Sequence, residues 1–184
     1  MTRATAPRVR LEAPSAARRA AFLAAVARSR RLHGPWVSPP STPDRFRAYL
    51  RRSRRPTHAS YFVVTRDGDE LAGVVDISEI VRGIFRSGYL GYYAFAPHAG
   101  RGLMAEGLAL VVRDAFRRLG LHRLEANVQP GNRDSIRLVK RLGFRREGFS
   151  PRYLKIGGRW RDHERWTVLA DARRGGLARR ATRG

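Results

Sequence analysis

Two glycines flanking an arginine, Gly100-Arg101-Gly102, carry the most chemistry in this chain of 184 residues. They stand at the start of an apolar-periodic segment. Upstream is Gly91-Tyr92-Tyr93-Ala94-Phe95-Ala96-Pro97, whose aromatic residues favour extended backbone and whose proline ends it. Glycine removes the side chain that would keep a ligand off the main chain, and it frees the φ angles of the turn. The first N–H groups of the following helix point outward at the positive end of its dipole. That geometry suits a pyrophosphate. No Gly-Lys-Ser/Thr follows, so the motif is not a P-loop, and no acidic residue is placed as in a dinucleotide site. Asp162-His163 also invites a chemical reading, but five scattered histidines give no metal-ligand spacing. Asn132 and Ser135 read plainly as helix-capping residues, and Tyr153 and Trp160 as packing aromatics.

The elements that must position these residues follow from periodicity. Val9–Leu11 is a short strand, and Ala16–Arg31 is a helix with apolar positions at Phe22, Leu23 and Val26. Thr42 or Asp44 caps a second helix to about Arg52, with Phe46, Tyr49 and Leu50 on one face. Tyr61–Thr65 and Leu71–Ile77, the latter extending towards Val81, form a hairpin about Asp67-Gly68-Asp69. Gly88–Phe95 is the next strand, and Gly102–Leu119 is a helix stopped by Gly120. His122–Val128 is a strand and Asn132–Leu142 a helix ended by Gly143. Phe144–Phe149 and Glu164–Leu169 are strands, with Tyr153–Trp160 a separate hairpin about Gly157-Gly158. The order predicts a mixed α/β sheet with helices on both faces and one right-handed β-α-β crossover. Residues 1–170 read as one domain, with Met1–Pro7 disordered at its start and a basic tail following over 171–184.

Composition narrows the setting. With no cysteine there is no disulfide, thiolate metal site or cysteine nucleophile, which fits a cytoplasmic location. No apolar run approaches a membrane span, and the N-terminus lacks a signal peptide's apolar stretch. The formal charge is +23, carried by 36 arginines and two lysines against 15 acidic residues. Such a surface attracts RNA, ribosomes or a multiply phosphorylated ligand. The clusters at 51–55 and 173–180 are the places for RNA contact, although a solvated surface is the commoner use of such runs.

Five blocks in order resemble the GNAT superfamily of acetyl-CoA-dependent N-acetyltransferases. They are Gly100-Arg-Gly-Leu-Met-Ala-Glu-Gly107, Ala126-Asn-Val-Gln-Pro-Gly-Asn-Arg-Asp-Ser135, Leu142-Gly-Phe144, Glu147-Gly148 and Gly158-Arg-Trp-Arg-Asp-His163. The last favours the RimJ/RimL type, the ribosomal-protein alanine N-acetyltransferases. The resemblance implies a mixed, mostly antiparallel sheet of six or seven strands. That sheet parts between Gly88–Phe95 and His122–Val128 to admit the pantetheine arm of acetyl-CoA. It further implies that backbone groups near Phe95 and Ala96 bond that arm. The loop Ala99, Gly100, Arg101, Gly102, Leu103, Met104 wraps the pyrophosphate, and Asn132 touches the cofactor. Substrate contacts fall to Tyr153 and Trp160, and no metal is implied. The chain departs from the family pattern at both ends of that loop. Ala99 stands where Gln or Arg is usual, and Met104, bulkier than the usual Gly or Ala, is expected to narrow the site. Val139 replaces a tyrosine that acts as acid in many relatives, and Ser135 lies where Rim-type enzymes use a serine hydroxyl. A base used by some relatives aligns with Leu154, so no base carries over.

Amide formation needs a neutral amine, a polarised thioester carbonyl and a stabilised thiolate. An α-amine, with a pKa of about 8, is partly neutral at pH 7, whereas a lysine amine at about 10.4 needs far more help. The lack of a transferred base therefore favours a protein N-terminal α-amine, with water relaying its proton to Asp162, Glu164 or Glu106. The oxyanion donor is expected to be a backbone N–H at the Phe95 strand end. Without cysteine, direct attack in a ternary complex is the expected route. Two other functions compete: acetylation of a small amine or antibiotic, and an inactive ribosome- or RNA-binding module on the same fold. Either a monomer or a dimer is compatible with the sequence.

Overall fold

The computed structural model describes residues 6–170. The basic tail and the arginines of 173–180 lie outside the described residues. Seven strands form one sheet in the order β1-β2-β3-β4-β5-β7-β6. They are β1 Val9–Glu12, β2 Ala59–Thr65, β3 Leu71–Val81, β4 Ser87–Ala94, β5 Arg123–Val128, β6 Arg145–Ile156 and β7 Arg159–Leu169. Every neighbouring pair is antiparallel except β4–β5, which is parallel and is joined by a helical crossover.

Alternation along the strands feeds two cores. On one face, here the front, Phe62, Val64, Val74 and Phe95 pack against Phe22 of α1 (Arg19–Arg28) and Phe46 and Tyr49 of α3 (Pro43–Ser53). Their rings lie 4.7 to 6.4 Å apart, which is ordinary aromatic packing. On the back, Leu103, Leu108, Val111 and Val112 of α4 (Leu103–Arg117) and Val139 of α5 (Arg133–Arg141) cover Val63, Val75, Leu90, Leu124 and Trp166. Thr42 caps α3 by accepting from the Arg45 N–H at 3.3 Å, with Pro43 at the first helical position.

Two sequence expectations change. The helix foreseen over Ala16–Arg31 is a 3₁₀ turn, α1 and a short α2 (Arg30–His33), with the break at Ser29. The Ser29 hydroxyl is buried; it donates back to the Ala25 carbonyl at 2.7 Å and accepts from the Ala96 N–H at 2.9 Å. A side chain that hooks its own helix and a neighbouring strand end competes with continued helix. The three pieces foreseen after Phe144 are instead two long strands. Gly148 and Pro151 interrupt their alternation, and register shifts after Arg146 and Ser150 absorb the extra residues.

Gly73 of β3 shows how closely α4 sits on the sheet. A Cβ there would fall inside van der Waals contact with Met104 Sδ and the Tyr93 carbonyl oxygen. The second neighbour is backbone and cannot swing away. Gly73→Val is therefore expected to cost about 3 kcal/mol by overpacking. Thermal unfolding should show this as a loss of roughly 6 to 12 °C in Tm.

Candidate functional site

The β4–β5 pairing is short. Ser87, Gly88 and Tyr89 pair with Arg123, Leu124 and Glu125, and beyond them the two strands no longer pair with each other. A parallel ladder that stops after three residues leaves a wedge-shaped gap inside an otherwise continuous sheet. β4 residues that bond β3 alternate with residues that point away from it. The Phe95 N–H donates to Ala72 O at 2.8 Å, so Tyr93 and Gly91 also face β3. Tyr92 and Ala94 then turn their backbone groups towards the gap.

This alters one expectation. Phe95 and Ala96 offer no free amide: the first is bonded to Ala72 and the second to Ser29. The Phe95 carbonyl in turn accepts from His98 and Ala99. The strand end is anchored in the protein, and the N–H groups of Tyr92 and Ala94 are the ones open to an extended ligand or a developing oxyanion.

Beyond the strand, Gly100 and Gly102 have φ of +76° and +81°, a left-handed backbone that glycine accepts without strain. Gly102 is the N-cap of α4 and has no side chain to cap it; the first helical bond runs from Glu106 N–H to Gly102 O. α3 and α5, by contrast, are capped by Thr42 and Asn132. The uncapped N–H groups of Leu103, Met104 and Ala105 therefore face outward at the positive end of the dipole, fitting a pyrophosphate. Arg8 pins this turn from behind. Its Nε donates to Glu106 Oε1 at 2.7 Å, and its Nη2 donates to the Arg101 carbonyl at 3.0 Å. His98 ties the same loop to Glu70 at 3.0 Å. The Met104 side chain does not narrow the site. It is only 8% exposed and lies in the core over Gly73.

α5 supplies the other wall. Asn132 Oδ1 accepts from the Ser135 N–H at 3.1 Å, the capping role its type suggests. The Ser135 hydroxyl is 2.5 Å from the Tyr92 hydroxyl, so the two walls touch on the back side of the gap. Burial pushes the Tyr92 phenol up to about 12. In the sequence Tyr92 reads only as a strand former; nothing in its type separates it from Tyr93.

The front side is roofed more loosely. Gln129 Nε2 donates to Pro35 O at 3.2 Å, strapping the loop after α2 to the end of β5. Tyr153 lies against the buried His163 ring and near Tyr89 of β4, and its hydrogen bond raises the Tyr89 phenol pKa. Trp160 sits near the β6–β7 turn, 60% exposed. Each of the three acidic residues considered as relays is already engaged by a neighbour. Glu106 is held by Arg8, and Asp162 Oδ1 accepts from the Arg152 N–H at 2.7 Å. Glu164 accepts from Trp166 Nε1 at 3.0 Å. Asp162 and His163 do not act as a pair, because His163 Nδ1 is bonded to the Arg161 carbonyl.

This geometry agrees with comparison to known proteins. The acetyltransferase (GNAT) domain profile matches residues 8–145. A probable N-acetyltransferase of Bacillus subtilis, YjcK, is 36% identical over 125 residues, spanning 68% of this chain and 69% of that protein. The ribosomal protein uS5-alanine N-acetyltransferase of Escherichia coli is 44% identical over 97 residues, 53% of this chain and half of that enzyme's length. Among solved structures, RimJ of Mycobacterium smegmatis in complex with CoA-disulfide superposes with a TM-score of 0.81 at 26% identity, over 89% of this chain and 83% of that one. Spermidine N-acetyltransferase of Vibrio cholerae shares the fold, with a TM-score of 0.76 at 20% identity over 89% and 96%.

Proposed function

The chain belongs to the GNAT acetyltransferase family and is an acetyl-CoA-dependent N-acetyltransferase; from that premise we propose that its acceptor is a protein N-terminal α-amine, with a ribosomal-protein alanine first among candidates. The observation that carries this reading is the parted β4–β5 pair ending at an uncapped helix. The turn Ala99–Met104 holds the pyrophosphate through its N–H groups, with Asn132 at the neighbouring helix start. The β4 amides of Tyr92 and Ala94 polarise the thioester carbonyl. The Ser135 hydroxyl faces the departing sulfur. The amine attacks directly while both substrates are bound, and Tyr153 and Trp160 flank its approach.

Charge supports an α-amine over a polyamine. A protein at +23 repels a polycation, whereas a ribosome surface draws it in. The exposed arginines of 51–55 at the end of α3 are available for that attraction. The absence of cysteine fits the reducing cytoplasm, where such acceptors are made.

The test offers acetyl-CoA with a peptide beginning in alanine, the same peptide blocked at its N-terminus, and spermidine. The free peptide is expected to gain about 42 Da, the mass an acetyl group adds in acyl transfer. The blocked peptide should gain nothing, and spermidine should be acetylated at least tenfold more slowly. Faster acetylation of spermidine would overturn the α-amine assignment. Tight RNA binding without acetyl-CoA binding would overturn the enzyme reading.

A further inference from the structure

The front face beside the gap carries a carboxylate that the steps above leave without a task. Asp76 of β3 pairs with Gly91 of β4. Paired residues share a face of the sheet. Gly91 lies two residues past Tyr89, the last β4 residue bonded to β5, so it is at the opening. A Cβ built on Gly91 meets nothing within 4 Å, and its φ is outside the left-handed region. The space above it is open, and it lies on the face opposite Ser135.

The surroundings of this notch are polar and incompletely satisfied. Tyr93 is on the same face, and its hydroxyl is buried without a hydrogen-bond partner. Across the gap, Asn127 Oδ1 is also buried and unpartnered. The neighbours of Asn127, Ala126 and Val128, fill the back core, so Asn127 faces forward, whereas Arg165, its partner on β7, leans over Gly148 of β6 and away from the gap. Buried polar groups in native folds are rarely left unmatched, and such a set facing one opening points to a ligand.

We propose that this notch is the acceptor site, that the Asp76 carboxylate binds the incoming amine and takes its surplus proton, and that Tyr93 and Asn127 receive the first peptide unit behind it. The proposal rests on the acetyl-transfer reading above. The amine lone pair forms the C–N bond to the thioester carbon as the C–S bond breaks. The surplus nitrogen proton passes to Asp76 and on to water. The thiolate leaves on the opposite side and takes one proton by way of Ser135, so protons balance.

The groups facing Asp76 come from every element around it. Tyr49 of α3 donates to Oδ1 at 3.0 Å, Ser60 of β2 adds a hydrogen bond, and Tyr93 lies on β4. The Arg52 guanidinium adds positive charge, and the His58 ring lies nearby. Burial raises the Asp76 carboxyl above the usual carboxylate range, although part of the residue stays accessible. A carboxylate moved towards neutrality is a better proton acceptor. It works only when ionised, so activity should fall as pH drops through that raised value.

The experiment measures acetyl transfer to the alanine peptide by the full chain carrying Asp76→Asn or Gly91→Leu, with acetyl-CoA affinity read separately by calorimetry. Asp76→Asn is expected to lower kcat/KM for the peptide about 100-fold and to remove the acidic limb of the pH profile. Gly91→Leu, which fills open space and does not rely on the folding of an Asp76 variant, should raise the peptide KM at least about tenfold. Acetyl-CoA affinity should stay within about threefold in both. Peptide kcat/KM within twofold of wild type in both variants would overturn the proposal. Wild-type protein that binds acetyl-CoA yet transfers to no amine would overturn the parent reading, and this proposal with it.

Discussion

Gly102→Glu is expected to abolish acetyl-CoA binding while leaving the protein folded. Three features act together at this position. It is the N-cap of α4, so a carboxylate there would accept from the same N–H groups that serve the pyrophosphate. Its negative charge would meet a diphosphate at close range, where little water intervenes. Its φ of +81° also strains any residue with a Cβ, which at this site would lie 3.2 Å from Arg8 Nη2. The arginine can give way, so the strain itself should cost only about 1 to 2 kcal/mol of stability. Calorimetry should show affinity reduced at least 100-fold, well beyond what strain explains. Gly102→Ala is the control: it carries the strain without the charge and should lose much less affinity. Equal affinity in wild type and Gly102→Glu would move the pyrophosphate to another part of the surface.

The fold was legible because local signals agreed with one another. Gly100 and Gly102, the apolar stripe of α4 and the Gly120 stop marked the crossover, and a crossover between parallel strands constrains the sheet around it. What stayed illegible depended on contacts distant in sequence. Ser29 looks like any helical serine until its hydroxyl is seen to bind Ala96, 67 residues away. Phe95 and Ala96 were natural choices for the cofactor's partners, because they stand where the strand meets the turn. Strand parity decides otherwise, and parity depends on a register that no residue type encodes. Met104 looked intrusive in the motif, but Gly73 leaves it room in the core. Asp76 sits in an ordinary alternating strand, and its significance comes from Gly91 across the ladder. The arginine surplus is plain from the sequence but its use is not, since among the described residues many arginines are already engaged: Arg18 with Glu12 and Asp69, Arg118 with Asp114, Arg123 with Glu125 and Glu147.

The second large effect is expected at the contact between the two walls of the gap. Ser135→Ala should lower kcat about 10- to 100-fold, the lower range for loss of a positioned proton donor. Acetyl-CoA affinity should change less than threefold. Tyr92→Phe should lower kcat by about five- to tenfold. The effect depends on which hydroxyl donates to the other across 2.5 Å. A serine hydroxyl is a weaker acid than a phenol, even one raised to about 12, and Tyr92 keeps its proton at neutral pH. Tyr92 therefore donates to Ser135 Oγ, which leaves the serine proton free to turn towards the sulfur. Hydrogen bonds in such a chain polarise one another. The Tyr92 hydroxyl acts only through Ser135, so the double variant should be no slower than Ser135→Ala alone, and that non-additivity distinguishes a chain from two independent contacts. If Ser135→Ala retained full kcat, the serine would be left with its place in the first turn of α5 and nothing more. If the two losses multiplied, the Tyr92 hydroxyl would be touching the substrate itself.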